Sequence, residues 1–303
     1  MDMDGDWSLP RPNTLFKVNR RTAGSSLSKA SSIASTFSSL AAPVAAEAVQ
    51  RARELSTASD VEGFHQLRVA FRKLRALYWA YSPYLEAEAT AQATEEFKRL
   101  AAVAGGTRDW DIAGDLLRIA HESGASIELL VAAAREKREQ AVAQSQAMIK
   151  SGDVEAFLND ALLRAQTALQ SRCNGLPIRA FAEKRVRLAQ RTLQKRSRRA
   201  ARSETTYEED LHDVRKAGKK LRYLLEFFQP IIKGGHGRTI KELTSVQNKL
   251  GQFNDIAASE ALIRSASFNE VPSEVVQESL QWLEEQKCQR MRAASRRVRA
   301  ISS

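Results

Sequence analysis

The sequence predicts an all-α protein built from two like halves, and three observations carry that expectation. Ala, Leu, Arg, Glu, Lys and Gln dominate a chain of 303 residues in which Gly numbers 14 and Pro 7, the balance of helices rather than of sandwiches or barrels. From about Ala42 apolar residues recur at helical spacing, and no stretch alternates convincingly as a strand. Finally, a segment occurs twice: His65-Gln66-Leu67-Arg68-Val69-Ala70-Phe71-Arg72-Lys73-Leu74-Arg75 returns as His212-Asp213-Val214-Arg215-Lys216-Ala217-Gly218-Lys219-Lys220-Leu221-Arg222, at an offset of 147. The shared pattern is H-x-x-R-x-A-x-[RK]-K-L-R, and each copy reaches a proline at the same distance, Pro83 and Pro230. Such a period marks a repeated structural unit.

The elements follow in order. Residues 1–40 stand apart: no acid lies between Asp6 and Glu47, Arg11, Lys17, Arg20, Arg21 and Lys29 are basic, and Ser and Thr crowd 22–39. They read as a flexible leader with no secretory h-region, and organelle targeting stays open. Ala42–Leu55 predicts the first helix, ended by the polar cluster 56–60. Val61–Tyr81 is a long amphipathic helix stopped by Ser82-Pro83. Glu86–Val103 is closed by Gly105-Gly106, and Asp109–Ser123 begins afresh with its Asp as cap. Ile127–Lys150 and Val154–Ser171 complete a first half, about 41–173. Asn174-Gly175-Leu176-Pro177 is the strongest turn signal, so the second half runs from about 178 to 303. It holds Ala180–Arg202, a polar loop at 203–209, Asp210–Phe228 with the second copy, Thr239–Leu250 closed by Gly251, Asp255–Ala266 and Ser273–Ile301.

Net charge is +11, with a sequence pI near 9.8, which favours polyanionic partners. No run of ~18 uncharged apolar residues exists, so a membrane span is excluded. Cys173 and Cys288 match no metal or redox spacing and read as small buried apolar residues in a reducing compartment.

The basic residues are patterned. With His65 at 0° and ~100° per residue, Arg68 falls near ~−60°, Arg72 near ~−20°, Arg75 near ~−80° and Lys73 near ~+80°. Leu67, Phe71, Leu74, Leu77 and Tyr78 take the other side. The second copy presents His212, Arg215, Lys216, Lys219, Lys220 and Arg222, with Leu221, Leu224, Leu225 and Phe228 behind them. A solvated helix face normally mixes signs, whereas acids are nearly absent from both of these. The reading is two basic faces brought to one anionic ligand, each backed by its own apolar core. A third row, Lys184, Arg187, Arg191, Lys195, Arg198 and Arg202, falls within ~80° at helical pitch and contains no acid. Arg191, Lys195 and Arg198 are therefore expected to join the ligand site and to tighten the grip of the second half. For Arg290, Arg292, Arg296, Arg297 and Arg299 at the chain's end, a contact role and a solvated end stay equally open.

His65 and His212 fit an anion contact better than a metal, because no thiolates or carboxylates accompany them at ligand spacing. His121 and His236 lack counterparts and read as structural. A second element recurs after each motif: Gly105-Gly106-Thr107-Arg108-Asp109 and Gly251-Gln252-Phe253-Asn254-Asp255. Helix capping is the favoured reading of the two aspartates, and orienting a basic side chain is the alternative. No Gly-rich phosphate loop, nucleophile elbow or run of close carboxylates for Mg²⁺ is present. The expectation is a protein that is not an enzyme and needs neither metal nor cofactor.

At these residues the chain resembles the CHAD family, the conserved histidine α-helical domain. Both H-x-x-R-x-x-x-[RK]-[RK]-L-R segments match its signature, as do Gly-x-x-Arg-Asp at 105–109 and Gly-x-x-Asn-Asp at 251–255, over roughly residues 40–300. The resemblance implies two pseudo-symmetric helical bundles around a basic central pore or groove. It implies binding of inorganic polyphosphate without catalysis, in a cytoplasmic protein with polyphosphate granules as a candidate location. The family's motif residues fall on His65, Arg68, Arg72, Lys73 and Arg75, and on His212, Arg215, Lys219, Lys220 and Arg222. The E-x-E-x-K strand of the triphosphate-tunnel domain fused to some relatives is absent. The rival is a nucleic-acid-binding helical protein, which calls for aromatics interleaved with the cations. Tyr78, Trp79 and Tyr223 are near, but no repeated aromatic accompanies the rows.

Overall fold

In the computed structural model, residues 32–57, 60–122, 128–173, 175–203 and 207–300 are described, and nine helices carry them with no strand among them. These are α1 (Ile33–Leu55), α2 (Val61–Tyr81), α3 (Ala87–Glu122), α4 (Glu128–Ser151), α5 (Val154–Cys173), α6 (Ile178–Arg202), α7 (Tyr207–Phe228), α8 (Gly237–Ser265) and α9 (Ser273–Ala300). The expected all-α class is what is found.

Helix α1 starts nine residues before the predicted boundary. Ser32 caps it, its Oγ accepting from the Ser35 amide at 3.1 Å, and the Ile33 amide donates to Leu176 O at 3.0 Å. The second bond fastens the start of α1 to the turn that precedes α6, where Gly175 adopts φ 78°, a backbone angle that glycine takes without penalty. Ile33, Ala34 and Phe37 are buried, and the Phe37 ring meets Tyr81 edge-on at 5.0 Å between centroids. The expected leader therefore ends too late at residue 40: 33–40 are the first turns of a core helix. Pro43, of a type that favours a first helical turn, lies inside α1. Residues 1–31 lie outside the described residues.

The glycine elements also behave differently from the expectation. Neither Gly105-Gly106 nor Gly251 ends a helix: α3 and α8 each run straight through. Asp109 and Asp255 are consequently mid-helix residues and not caps. What changes at these points is the core. Before Gly105, α3 contributes Phe97 and Leu100 to the main apolar cluster; after it, Trp110, Leu117 and Ala120 belong to a second one. Helix α8 divides likewise, with Leu250 and Phe253 in the first cluster and Ile256 and Ile263 in the second.

The two clusters do not divide by sequence half. Leu67, Phe71 and Leu74 of α2 share one cluster with Leu221, Leu224 and Phe228 of α7. The second cluster joins α3 and α4 to α8 and α9. Separate apolar backing for each motif helix is thus not what is found. Burying both backs in one cluster is what sets the two basic faces side by side, since α2 and α7 pack on each other as well as on α3 and α8 respectively.

Cys173 is buried, its thiol donating to Leu169 O at 3.0 Å. Cys288 is exposed, against expectation. Among the described residues no helix is long and apolar enough to cross a membrane.

Candidate functional site

The motif faces of α2 and α7 meet α3 and α8 where those helices pass from one core to the other. Arg68 Nη1 donates to Asp109 Oδ1 at 3.1 Å. Its guanidinium lies flat against α3: a Cβ added at Gly105 would stand 3.3 Å from Arg68 Cζ. That contact accounts for a glycine in mid-helix, where it costs about 1 kcal/mol relative to alanine. In the second copy Arg215 reaches Asp255 at 3.9 Å. Asn254 Oδ1 accepts from Arg215 Nη1 at 3.5 Å and lies 2.9 Å from His212 Nδ1. Both contacts are satisfied when Nδ1 carries the ring proton, which leaves His212 Nε2 to face outward. The aspartates orient basic side chains, the alternative reading of the repeated Gly element.

Charge is crowded here. Burial pushes the Arg72 guanidinium down to about 10, and Arg68 and Arg215 add to the effect. Lys219 is held well below the ordinary lysine range by burial, then by Arg215 and Arg72, against the pull of Asp255. Neither Arg72 nor Lys219 has a hydrogen bond or ion pair among the described residues. Burial also lowers both histidines, with Arg108 and Lys219 opposing protonation at His65 and Lys216 and Arg215 at His212. Burial raises the Asp255 carboxyl, although 38% of its side chain is exposed. Water therefore reaches this crowded place, which we call the recess, and an anion can reach the cations around Asp255 by the same way.

A second group of cations adjoins the first. Lys220 Nζ sits 4.4 Å from the Trp79 ring centroid and Arg185 Cζ 4.2 Å from it. Arg185 Nη2 donates to Trp79 O at 2.6 Å, and Arg196 Nη1 donates to Asp213 O at 3.1 Å. Burial, followed by Arg196, Arg75 and Arg185, pushes Lys220 down to about 8. Arg75 has no hydrogen bond or ion pair among the described residues, and its Nε is buried. An arginine and a lysine held on an indole face can stay desolvated without a counterion.

The structure thus brings His65, Arg68, Arg72, Arg215 and Lys219 together, with His212 alongside, and groups Arg75 with Lys220. Lys73 lies ~100° round α2 from Arg72 and leaves the row. Lys216 is exposed beside Asp213, and Arg222 donates to Glu226 at 3.1 Å on its own helix. Arg191, Lys195 and Arg198 are exposed on another face of α6. The α6 cations that do face the motif helices are Arg185 and Arg196, which sequence reasoning passed over; Arg108 and Trp79 were named there but given no place in the site. A signal existed: Arg185 and Arg196 fall within ~20° of each other on α6, among the buried Ile178, Ala182 and Ala189. Arg108 sits inside the repeated Gly element, at the position that Asn254 occupies in the second copy.

Comparison with known proteins follows the same lines. The family model described as the CHAD domain matches residues 41–264. Among solved structures, the CHAD domain from the plant Ricinus communis is 20% identical, with a TM-score of 0.73, over 90% of this chain and 94% of that one. PptA from Streptomyces chartreusis is 17% identical, with a TM-score of 0.65, over 88% of this chain and 99% of that one. These two likenesses are of fold. No curated protein matches the chain.

Proposed function

The chain belongs to the CHAD domain family, and from that premise we propose that its recess binds inorganic polyphosphate and carries out no chemistry on it. The observation that carries this reading is the pair Arg72 and Lys219. They come from two helices, sit in one crowded place, repel each other, and among the described residues form no ion pair with an acid, although Asp109 and Asp255 pull on them from a distance. Holding such cations together costs folding free energy, and only a ligand of opposite charge recovers it. A linear polyphosphate offers one charge per phosphate with no bases to read, and guanidinium and ammonium groups bind it through charge-assisted hydrogen bonds.

The nearby carboxylates favour binding over catalysis. Asp109 is engaged by Arg68, and Asp255 is turned toward Arg215. Both serve to position arginines, and among the described residues no group of three or more His, Cys, Asp or Glu is arranged to hold a metal ion. Recruitment to polyphosphate granules follows from the same reading, and a fluorescent fusion that fails to follow granules would remove it.

Calorimetric titration with polyphosphates of graded length, with duplex DNA as competitor, tests the proposal. Affinity should fall with salt at a slope of about 0.7 per phosphate contacted, by analogy with single-stranded nucleic acid. DNA that long polyphosphate cannot displace would overturn the ligand assignment. Phosphate release by pure protein with Mg²⁺ would overturn the absence of catalysis.

A further inference from the structure

The α6 row that faces away from the recess needs its own explanation. Arg191, Lys195, Arg198 and Arg202 line an outer groove of about 600 Å³ between α6 and the start of α7. Among the described residues its one lining carboxylate, Asp210, is 2% exposed and held by Arg199 at 2.6 Å. Of the five lining cations only Arg199 is paired; among the described residues the other four have no hydrogen bond or ion pair. They stand at i, i+4, i+7 and i+11, so neighbours are ~5–6 Å apart along ~16 Å of helix. A last-turn preference for cations explains Arg199 and Arg202, but not Lys195 and Arg191, which lie about two and three turns upstream of Arg202. Among the described residues no aromatic lines the groove, so these offer no stacking platform of the kind a single-stranded nucleic-acid site uses. A straight, evenly spaced row suits a flexible linear chain of phosphates.

We propose that this groove is a second polyphosphate site, separate from the recess, so that one protein molecule holds two stretches of polymer facing different ways. The inference rests on the polyphosphate reading of the recess. It changes the expected behaviour from simple binding to bridging. The two sites should also differ in kind: the recess is crowded and half-buried, while the groove is solvated and more easily screened by salt.

Titration with tripolyphosphate at low salt should resolve two classes of site in the intact chain. The variant R191E/K195E/R198E should lose the weaker class and keep the tighter one within about twofold, as expected for sites without shared partners. Long polyphosphate should raise light scattering with the parent chain, most strongly at an intermediate ratio of protein to polymer, and not with the triple variant. All three positions are exposed, and an unchanged melting temperature confirms that the variant folds. A single class of site in the parent chain, with the recess still active, would overturn the second site alone. No binding by either protein would remove the reading beneath it. Duplex DNA that binds the groove and resists displacement by polyphosphate would also overturn the proposal, in favour of a nucleic-acid surface.

Discussion

At the ninth position of the repeated pattern α2 carries Lys73 and α7 carries Lys220, yet only Lys220 reaches the Trp79 ring and the cations around it. At the eleventh position the roles reverse. Among the described residues Arg75 is left without a hydrogen bond or ion pair, whereas Arg222 is tied to Glu226 one turn on. The residue that decides this is the fifteenth, Trp79 in one copy and Glu226 in the other. The first position differs as well: Asn254 holds His212, while the matching Arg108 opposes charge on His65. Position eight, Arg72 and Lys219, is half-buried and, among the described residues, without a hydrogen bond or ion pair in both copies, and position four pairs with the aspartate of the repeated Gly element in both. Two matching motifs therefore do not make two matching sites; they make one site from unequal contributions.

The largest expected effect breaks the shared position. Arg72→Gln with Lys219→Gln removes two charge-assisted contacts of about 1.5–3 kcal/mol each, weakening polyphosphate binding by roughly two to four orders of magnitude. The same pair should raise the melting temperature of the ligand-free protein, because buried repulsion is relieved; a lower melting temperature would refute the idea that these cations are held at a cost. Next comes the unequal pair. Arg75→Gln should lose one such contact, about 10- to 100-fold in affinity, and Arg222→Gln only about twofold, since Glu226 already occupies it. Equal losses would restore symmetry between the copies.

A smaller effect separates Lys220 from the arginines. Its pKa is pushed down to about 8, so it is charged below that value and increasingly neutral above it. Affinity should be flat below about pH 7 and fall by up to about tenfold per unit as pH rises beyond 8, where binding must first restore a proton. Lys220→Arg should remove that limb near pH 8. The smallest effect concerns the two acids. Asp109→Asn breaks a 3.1 Å pair and should cost up to about 1 kcal/mol of stability by denaturant unfolding. Asp255→Asn, at 3.9 Å from its arginine, should cost nothing, because burial already disfavours that charge.

Much of this was legible from residues alone. Helical periodicity located the helices, and the repeat pointed to α2 and α7, which the structure packs on each other. Two kinds of signal misled. Gly105 and Gly251 read as helix ends because glycine usually marks them, whereas Gly105 is there to admit the Arg68 guanidinium, a contact between helices that no local rule contains. Arg185 and Arg196 drew no reading at all, while the orderly outer row on the same helix looked like the candidate. Which side of α6 meets α2 and α7 is decided by packing, and only the folded chain reveals it.

The passage of α3 and α8 through both apolar clusters has a consequence for dissection of the protein. Cut at the turn around Gly175, the chain would give two fragments, and neither would keep the second cluster whole. Trp110 and Leu117 would lose Ile256 and Leu283. Co-expressed, the fragments should seek each other out and reassemble as a non-covalent pair. Expressed singly, each should be recovered as a sticky, partly folded species, so the sequence halves are not modules that can be borrowed one at a time.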